Sequence, residues 1–376
     1  MSQQWDCKET SLLEKMGRSI LSGQWIQRDQ ARQICRLQGD LLYDLFYWAN
    51  KIRIHYVGQT VKFCSIVTGK VGACSEDCSY CAQSKLYKTH VTPAKMSVAE
   101  MDLAATEAAA SGASSFGVVN SGRGPTDSEL DWLEPLFQKT AKESKIRPCA
   151  TLGELTPSQA KRLKQMGVLR INHNLETSRR FFDNVVSTHC YDDRLRTIRV
   201  AKAAGLSICS GGIFGMGETW EDRLDLAFEL RDLGADVVPV NFLNAIQGTP
   251  LYNSTTPMEP MEALKIIALY RFILPNREIK IAGGRETILR DMQSWIFFAG
   301  GSSFLIGNYL TTFGRSPQED HQMLKDLGLT YMTFDEIEHE ADPAAATPSG
   351  PGHHSLADAG LMSRRQGSLL ALPVVN

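Results

Sequence analysis

The stretch Gly72-Ala-Cys-Ser-Glu-Asp-Cys-Ser-Tyr-Cys-Ala82 places Cys74, Cys78 and Cys81 in a C-x3-C-x2-C array. A structural zinc site uses four protein ligands, whereas three thiolates leave one iron of a four-iron cluster without a protein ligand. An iron with an open position can bind and reduce a small molecule. The array therefore indicates a 4Fe-4S cluster, with a zinc knuckle or chance clustering of cysteines as the alternatives.

The array, with Tyr80 before its third cysteine, resembles the signature of the radical S-adenosylmethionine (SAM) enzymes. The wider segment from Thr68 to Ser84 resembles the biotin synthases in that superfamily, and the likeness runs from about residue 50 to about residue 330. This resemblance implies SAM bound at the open iron and contacted by Tyr80. It also implies dethiobiotin as the substrate, a flavodoxin or ferredoxin as the electron donor, and a homodimer.

The composition is that of a large globular protein. The chain has 376 residues, of which 43% are hydrophobic, and a formal net charge of −2, which gives no general reason to bind nucleic acid or anionic lipid. No run approaches the roughly 18 apolar residues of a membrane span, and the N-terminus lacks the form of a signal peptide, so we expect a cytoplasmic protein with no membrane association. Nine cysteines spread over a long chain indicate metal ligands and core thiols rather than disulfides.

Short β-rich runs alternate with helical patterns along most of the chain. We predict strands at 61–67, 115–120, 148–152, 169–172, 206–213, 236–241, 279–282 and 304–306, and helices at 98–111, 128–143, 157–166, 192–204, 219–233, 261–273 and 286–299. Eight such units favour an α/β fold of the closed (β/α)8 barrel type. We expect an N-terminal helical segment at 1–50, the barrel at 51–335 and a disordered tail at 336–376.

Polar residues follow several predicted strands, where barrel active sites are built. Asn172, Asn174 and Glu176 share one face of the segment Asn172–Thr177. By the family resemblance, Asn174 and Glu176 contact SAM, and Asn174 and Asn241 contact the ureido ring of the substrate.

The segment Ser210–Glu218 contains a glycine-rich pattern, with Gly211, Ile213 and Gly215 in G-x-I-x-G-x-x-E. Its glycines would let an adenine or methionine moiety lie against bare backbone. The alternative is an ordinary strand-to-helix turn. The pattern resembles the adenine-contacting segment of radical SAM enzymes, which implies that these three residues bind SAM.

Cys149, Cys209 and Arg285 lie on or directly after three different predicted strands. Frequency alone favours buried core thiols and an arginine paired with an anion. The resemblance instead implies three ligands of an auxiliary 2Fe-2S cluster, which the family uses as its sulfur source. The fourth ligand should be a cysteine, but this chain has Gly117, so Cys64, Cys190, water or sulfide would have to complete the site.

We therefore interpret the chain as a radical SAM enzyme that inserts sulfur at unactivated carbons. The C–H bonds of such carbons are not acidic enough for a base to remove the proton, so we expect no acid–base catalytic residue. Two alternatives stay open. One is a related radical enzyme with another substrate on the same barrel, suggested by Gly117, and the other is a non-catalytic iron–sulfur or zinc protein.

Overall fold

The structure, a computed structural model, describes residues 7–309 and 314–336. Its strands, in chain order, are β1 Lys62–Val71, β2 Ala94–Lys95, β3 Ser115–Asn120, β4 Arg147–Thr151, β5 Arg170–Asn172, β6 Ser207–Cys209, β7 Gly212–Phe214, β8 Val237–Phe242, β9 Glu278–Ile281 and β10 Ser303–Leu305. All except β2 pair in parallel, and β10 pairs with both β9 and β1. This last pairing closes the barrel, as predicted.

Helices cover the outside of the barrel. They are α1 Cys7–Leu21, α2 Arg28–Cys35, α3 Leu41–Val57, α4 Val98–Ala110, α5 Asp127–Glu143, α6 Pro157–Gln165, α7 Tyr191–Ala203, α8 Trp220–Leu233, α9 Pro260–Ile273, α10 Arg285–Leu289, α11 Trp295–Phe298 and α12 Pro317–Asp326. Short 3-10 turns occupy Phe182–Asn184, Pro250–Asn253 and Arg290–Met292. Capping boxes headed by a serine or threonine set the start of α4, α5, α6, α8 and α12.

The N-terminal helices pack on the barrel's outer helices: α3 lies against α9 and α11, and α2 lies against α8 and α9. The side chains of α9 are buried almost throughout. Lys265 on α9 donates hydrogen bonds from Nζ to the carbonyls of Cys35 (2.6 Å) and Leu37 (2.7 Å). One hydrophobic core therefore includes the N-terminal helices and the barrel.

Successive side chains along each strand point alternately to this outer core and to the barrel interior. On β9, Ile279 and Ile281 belong to the outer core, so Lys280 points the other way, into the barrel. A second, inner cluster consists of Cys64, Ala282 and Leu305, with Ile66 and Tyr309 packed against it.

The predicted elements occur in the predicted order, but β2, α12 and the 3-10 turns at Phe182–Asn184 and Pro250–Asn253 were not predicted, and two predicted elements are divided. The predicted strand 206–213 is two short strands, β6 and β7, and the predicted helix 286–299 is broken into α10, a 3-10 turn and α11. Arg290, the residue at which α10 ends, has a positive φ of 48°, which interrupts the helical geometry there. The predicted tail lies outside the described residues except for Glu336. Within residues 7–309 and 314–336, we find no helix with the length and apolar character to cross a bilayer.

Candidate active site

A cavity of about 450 Å³ occupies the carboxyl end of the barrel. It brings together nine of the residues singled out from the sequence: Cys74, Cys78, Tyr80, Cys81, Asn174, Glu176, Cys209, Ile213 and Asn241. Five others are not part of its lining: Gly117, Cys149, Gly211, Gly215 and Arg285. One cavity therefore joins the cysteine array to the predicted binding residues.

The cysteine loop after β1 is closed on itself by backbone hydrogen bonds. Cys74 N donates to the Gln83 carbonyl at 3.0 Å, and Lys85 N donates to the Cys74 carbonyl at 2.9 Å. Within the loop, Cys81 N donates to the Cys78 carbonyl at 2.9 Å. The backbone that carries the three thiols is therefore held in place by the protein itself.

Two acidic residues inside the array tie this loop to the segment after β5. Glu76 accepts hydrogen bonds from Thr188 Oγ1 and from His189 Nδ1, each at 2.7 Å. Asp77 accepts from the backbone N–H groups of Ser187 (2.9 Å) and Thr188 (3.2 Å). Although burial opposes the charge, these hydrogen bonds lower the pKa of Asp77 to about 2. Glu76 and Asp77 thus have a structural role in the loop.

Burial affects the ionisation of the thiols in the cysteine array. Burial raises the pKa of Cys78 to about 12 and of Cys81 to about 11, so a bound cation is needed to hold them as thiolates. In the part of the chain that the structure describes, no three His, Cys, Asp or Glu side chains converge on one metal position. Each thiolate of a four-iron cluster binds a different iron, so convergence is not required.

The end of β5 offers buried polar atoms without protein partners. Glu176 has a positive φ of 69° and its carbonyl accepts from Ile213 N at 2.8 Å. Among the described residues, Glu176 Oε2, Asn172 Oδ1 and His173 Nε2 are buried and have no hydrogen-bond partner. Burial also lowers the pKa of His173 well below its usual value, so the ring is neutral. Buried acceptors of this kind are normally satisfied, which indicates a polar ligand.

The two asparagines expected to bind substrate both line the cavity, but they differ in their bonds. Asn174 Oδ1 accepts from Gly211 N at 3.2 Å. Asn241 uses both ends of its amide, donating from Nδ2 to the Gly212 carbonyl at 3.1 Å and accepting at Oδ1 from Gly283 N at 3.0 Å. Asn241 therefore also links β7 to the turn after β9.

The glycines of the G-x-I-x-G pattern have packing explanations. A Cβ on Gly211 would lie 2.0 Å from the Pro239 carbonyl oxygen, so only glycine fits between these strands. Gly215 has a positive φ of 97° and lines a second cavity of about 350 Å³. Of the three residues, only Ile213 lines the main cavity. The structure therefore does not place Gly211 and Gly215 where they would contact a ligand in that cavity.

The deep end of the cavity contains thiols and buried cations. Cys64, Cys209 and Lys280 line it, and Cys149 lies close enough to interact electrostatically with all three. Burial raises the pKa of Cys149 to about 12, although the neighbouring Arg170 and Lys280 oppose this. Burial disfavours the charge of Lys280, but the ionised forms of Cys64 and Cys209 and the Glu278 carboxylate raise its pKa. Three cysteines and a lysine thus share one region inside the barrel.

Arg285 does not face this region, which corrects the expectation that it is an iron ligand. Its side chain is fully buried, and Nη2 donates to Asp320 Oδ2 at 2.6 Å while Nη1 donates to Gln293 Oε1 at 2.6 Å. The turn at Gly283 and Gly284 carries residue 285 past the end of β9 and out of the barrel interior. Lys280 is the basic residue of this strand that lines the cavity.

Sequence reasoning missed Lys280, although period-two alternation with Ile279 and Ile281 could have found it.

The structure also shows what surrounds Gly117, which stands where the family resemblance implies a fourth cysteine. Gly117 is the register partner of Cys149, and a Cβ there would lie 3.3 Å from Ile66 Cγ2, a tight contact that a small shift of the Ile66 side chain would relieve. Cys64 lies on the neighbouring strand β1 and reaches the same cavity, whereas Cys190 is exposed at the start of α7.

Comparisons with known proteins agree with this geometry. Residues 70–230 match the family model described as the Radical SAM superfamily, and residues 239–330 match the Biotin and Thiamin Synthesis associated domain. The chain is 46% identical over 320 residues to the biotin synthase of Heliobacterium modesticaldum, covering 85% of this chain and 98% of that protein. It is 47% identical to the biotin synthase of Geotalea daltonii, covering 85% and 97%.

Solved structures agree on the fold. Methylornithine synthase (PylB) superposes with a TM-score of 0.75 at 19% identity, covering 86% of this chain and 99% of that chain. The hydrogenase maturase HydG from Carboxydothermus hydrogenoformans superposes with a TM-score of 0.73 at 20% identity, covering 86% and 79%.

Proposed function

The chain belongs to the biotin synthase family, and we propose on that basis that it converts dethiobiotin to biotin by SAM-dependent radical sulfur insertion. The observation that carries this proposal is the shared cavity. It has the three-cysteine loop at its mouth, amide and carboxylate groups along its wall, and further thiols at its deep end.

Cys74, Cys78 and Cys81 are the proposed ligands of the 4Fe-4S cluster. Their loop is held by its own backbone hydrogen bonds and by Glu76 and Asp77, so the protein itself fixes the backbone that carries the thiols. When bound, the cluster and SAM supply a carbon-centred radical that can remove hydrogen from an unactivated carbon. The protein's part is to orient both molecules and to exclude water from the reacting carbon.

Tyr80, Asn174, Glu176 and Ile213 are the proposed SAM contacts. Glu176 offers a carboxylate oxygen with no protein partner, which suits a ligand hydroxyl. Arg194 Nη1 donates to the Asn174 carbonyl at 2.8 Å and lies 3.5 Å from Glu176 Oε1, so it fixes both residues. Tyr80 and Ile213 add ring and aliphatic surface to the same cavity.

Asn174 and Asn241 are the proposed contacts for the ureido ring of dethiobiotin. Each amide lines the cavity and keeps part of its hydrogen-bonding capacity after its protein bonds are counted. A ureido group presents N–H donors and a carbonyl acceptor close together, which matches two side-chain amides. We also propose, from the family alone, a flavodoxin or ferredoxin as donor, a homodimer, and a cytoplasmic location.

An auxiliary cluster at the deep end is proposed as the sulfur source, with Cys64, Cys149 and Cys209 as its ligands. Cys64 would supply the thiolate that a cysteine at position 117 would otherwise supply. Lys280, rather than Arg285, is the basic residue that lines the cavity beside these thiols. This site would then have three thiolate ligands, as the first loop does. In a four-iron cluster, one iron would therefore have no thiolate ligand. That arrangement leaves the cluster type, 2Fe-2S or larger, to be measured.

The direct test is an anaerobic assay of the reconstituted protein with SAM, dithionite and dethiobiotin. We expect biotin and 5'-deoxyadenosine. Formation of 5'-deoxyadenosine that does not depend on dethiobiotin, with no biotin, would favour a radical enzyme with another substrate. No SAM cleavage at all, in protein with full iron content, would refute the proposal.

A further inference from the structure

The surface next to the cysteine loop is basic, although the whole chain has a net charge of −2. No Asp or Glu occurs between Asp77 and Glu100, whereas this stretch contains Lys85, Lys88 and Lys95. Lys95 lies over the Trp132 ring, with Nζ 3.8 Å from the ring centroid. All three lysines are exposed.

Two exposed apolar side chains belong to the segments that border the loop. Leu86 lies between the two lysines and is 58% exposed, and Tyr252 is 44% exposed. Residues 243–258, which include Tyr252, contain no charged residue. Large apolar side chains this exposed, close to unpaired positive charge, are typical of a surface that meets another protein.

Backbone contacts hold both segments against the cysteine loop. Lys85 N donates to the carbonyl of Cys74 at 2.9 Å. Leu251 N donates to the carbonyl of Ser79 at 3.3 Å, which places Tyr252 beside the same loop. The two segments also touch each other, because a Cβ on Gly248 would lie 2.1 Å from the Lys88 carbonyl oxygen.

We propose that Lys85, Leu86, Lys88 and Tyr252 form a donor surface, which binds an acidic one-electron carrier protein. The inference rests on the proposed function, because only a redox-active loop needs such a partner. Lys85 and Lys88 have no ion-pair partner among residues 12–309 and 314–336, so their charge is available to a carboxylate-rich protein. Charge complementarity with a small apolar centre gives the fast, weak association that electron transfer requires.

The position of the donor surface also fits its task. Its first residue is hydrogen-bonded to the backbone of Cys74, so a docked carrier would lie beside the loop that carries the proposed cluster ligands. None of the four residues of the donor surface lines the cavity, so a carrier docked on them would not occupy the site proposed for SAM and dethiobiotin.

The test compares a protein donor with a chemical one in the holoenzyme. The double variant Lys85→Glu/Lys88→Glu is assayed for 5'-deoxyadenosine formation with increasing reduced flavodoxin, with increasing reduced ferredoxin, and with dithionite. The matched control is Lys161→Glu/Lys164→Glu, which reverses two exposed lysines with the same spacing on α6. Leu86→Ser and Tyr252→Ser test the apolar part of the donor surface.

We expect the apparent KM for the carrier to rise about tenfold or more in the Lys85/Lys88 variant at low salt, and this difference to shrink as salt screens it. The carrier whose apparent KM rises is the one that docks on the donor surface. Leu86→Ser and Tyr252→Ser should also raise the apparent KM for the carrier, and the salt dependence of that KM should be the same as in the parent. Rates with dithionite should equal the parent's in all variants.

Two results would overturn the donor surface. One is an unchanged KM for both carriers in the Lys85/Lys88 variant, and the other is an equal rise in the α6 control. Failure of the proposed function is a separate outcome, since it would appear as absent SAM cleavage with dithionite in the parent protein itself.

Discussion

Arg285 and Asp320 form an ion pair with an Nη2–Oδ2 distance of 2.6 Å, and both side chains are fully buried. The pair joins the start of α10 to α12, and Arg285 Nε also contacts the hydroxyl of Tyr309, which lines the cavity. Arg285 therefore holds α12 on the barrel.

Asp320→Ala should lower the free energy of unfolding by up to about 3–5 kcal/mol, because it removes the buried carboxylate that pairs with Arg285 Nη2 and leaves only Glu286, 3.2 Å from Nε, as an ionic partner. Urea unfolding of the anaerobic protein measures this. Arg32→Ala is the control: its ion pair with Glu221 is about half exposed and screened by water, so its free energy of unfolding should stay close to the parent's. Equal losses in the two variants would contradict the structural role of the buried pair.

Replacing Cys74, Cys78 or Cys81 singly by Ala should abolish reductive cleavage of SAM, because two thiolates do not hold a four-iron cluster in a productive geometry. The measurement is 5'-deoxyadenosine formation with dithionite, together with iron content. Cys190→Ala is the matched control, since that thiol is exposed and does not line the cavity. Cleavage at the parent rate in any of the three variants would show that the assignment is mistaken.

The positions of Cys64 and Gly117 predict a ligand swap. Cys64→Ala should remove the second cluster, as should Cys149→Ala and Cys209→Ala, while leaving the first cluster intact. Adding Gly117→Cys to Cys64→Ala should restore it, because a Cβ at residue 117 meets nothing closer than 3.3 Å and the backbone there has no positive φ. Mössbauer spectra of iron-57 protein count the two clusters.

If Cys64→Ala keeps the iron and spectrum of the parent, Cys64 is not a ligand. If the parent itself holds only the four-iron species of the first loop, and Cys149→Ala and Cys209→Ala change neither spectrum nor activity, the auxiliary site does not exist.

Asn174→Ala and Asn241→Ala should each weaken dethiobiotin binding by about 1–3 kcal/mol, since a buried hydrogen-bonding group loses its partner. Only Asn241→Ala should also lower the melting temperature clearly, because its amide bridges the backbone at Gly212 and Gly283. Equilibrium binding and thermal unfolding separate the two effects. Parent-like affinity in both variants would point to another substrate.

The barrel was predictable because alternating strands and helices leave few other topologies. The observed β3, Ser115–Asn120, coincides with the prediction, and α9 begins one residue earlier than predicted, at Pro260. Local breaks were not predictable in this way. The gap between β6 and β7 at Gly211 depends on the Pro239 carbonyl of a strand about thirty residues away, which no local pattern records.

The candidate site was partly predictable for a similar reason. Residues placed at strand ends converge in any closed barrel, so Cys74, Asn174 and Asn241 meet in one cavity. Arg285 was misplaced because it follows β9 after two glycines, where side-chain direction no longer alternates as in a strand. Lys280 lies within the strand, and its direction could have been read from its isoleucine neighbours.

The burial of α9 between the barrel and the N-terminal helices restricts how this chain can be shortened. A protein begun at residue 58 would present to water the face of α9 that α2 and α3 now cover, and would leave the ammonium of Lys265 without the carbonyls of Cys35 and Leu37. An apolar helix exposed along its length promotes self-association. Expression of a minimal catalytic fragment should therefore give aggregated material unless the first helices are retained.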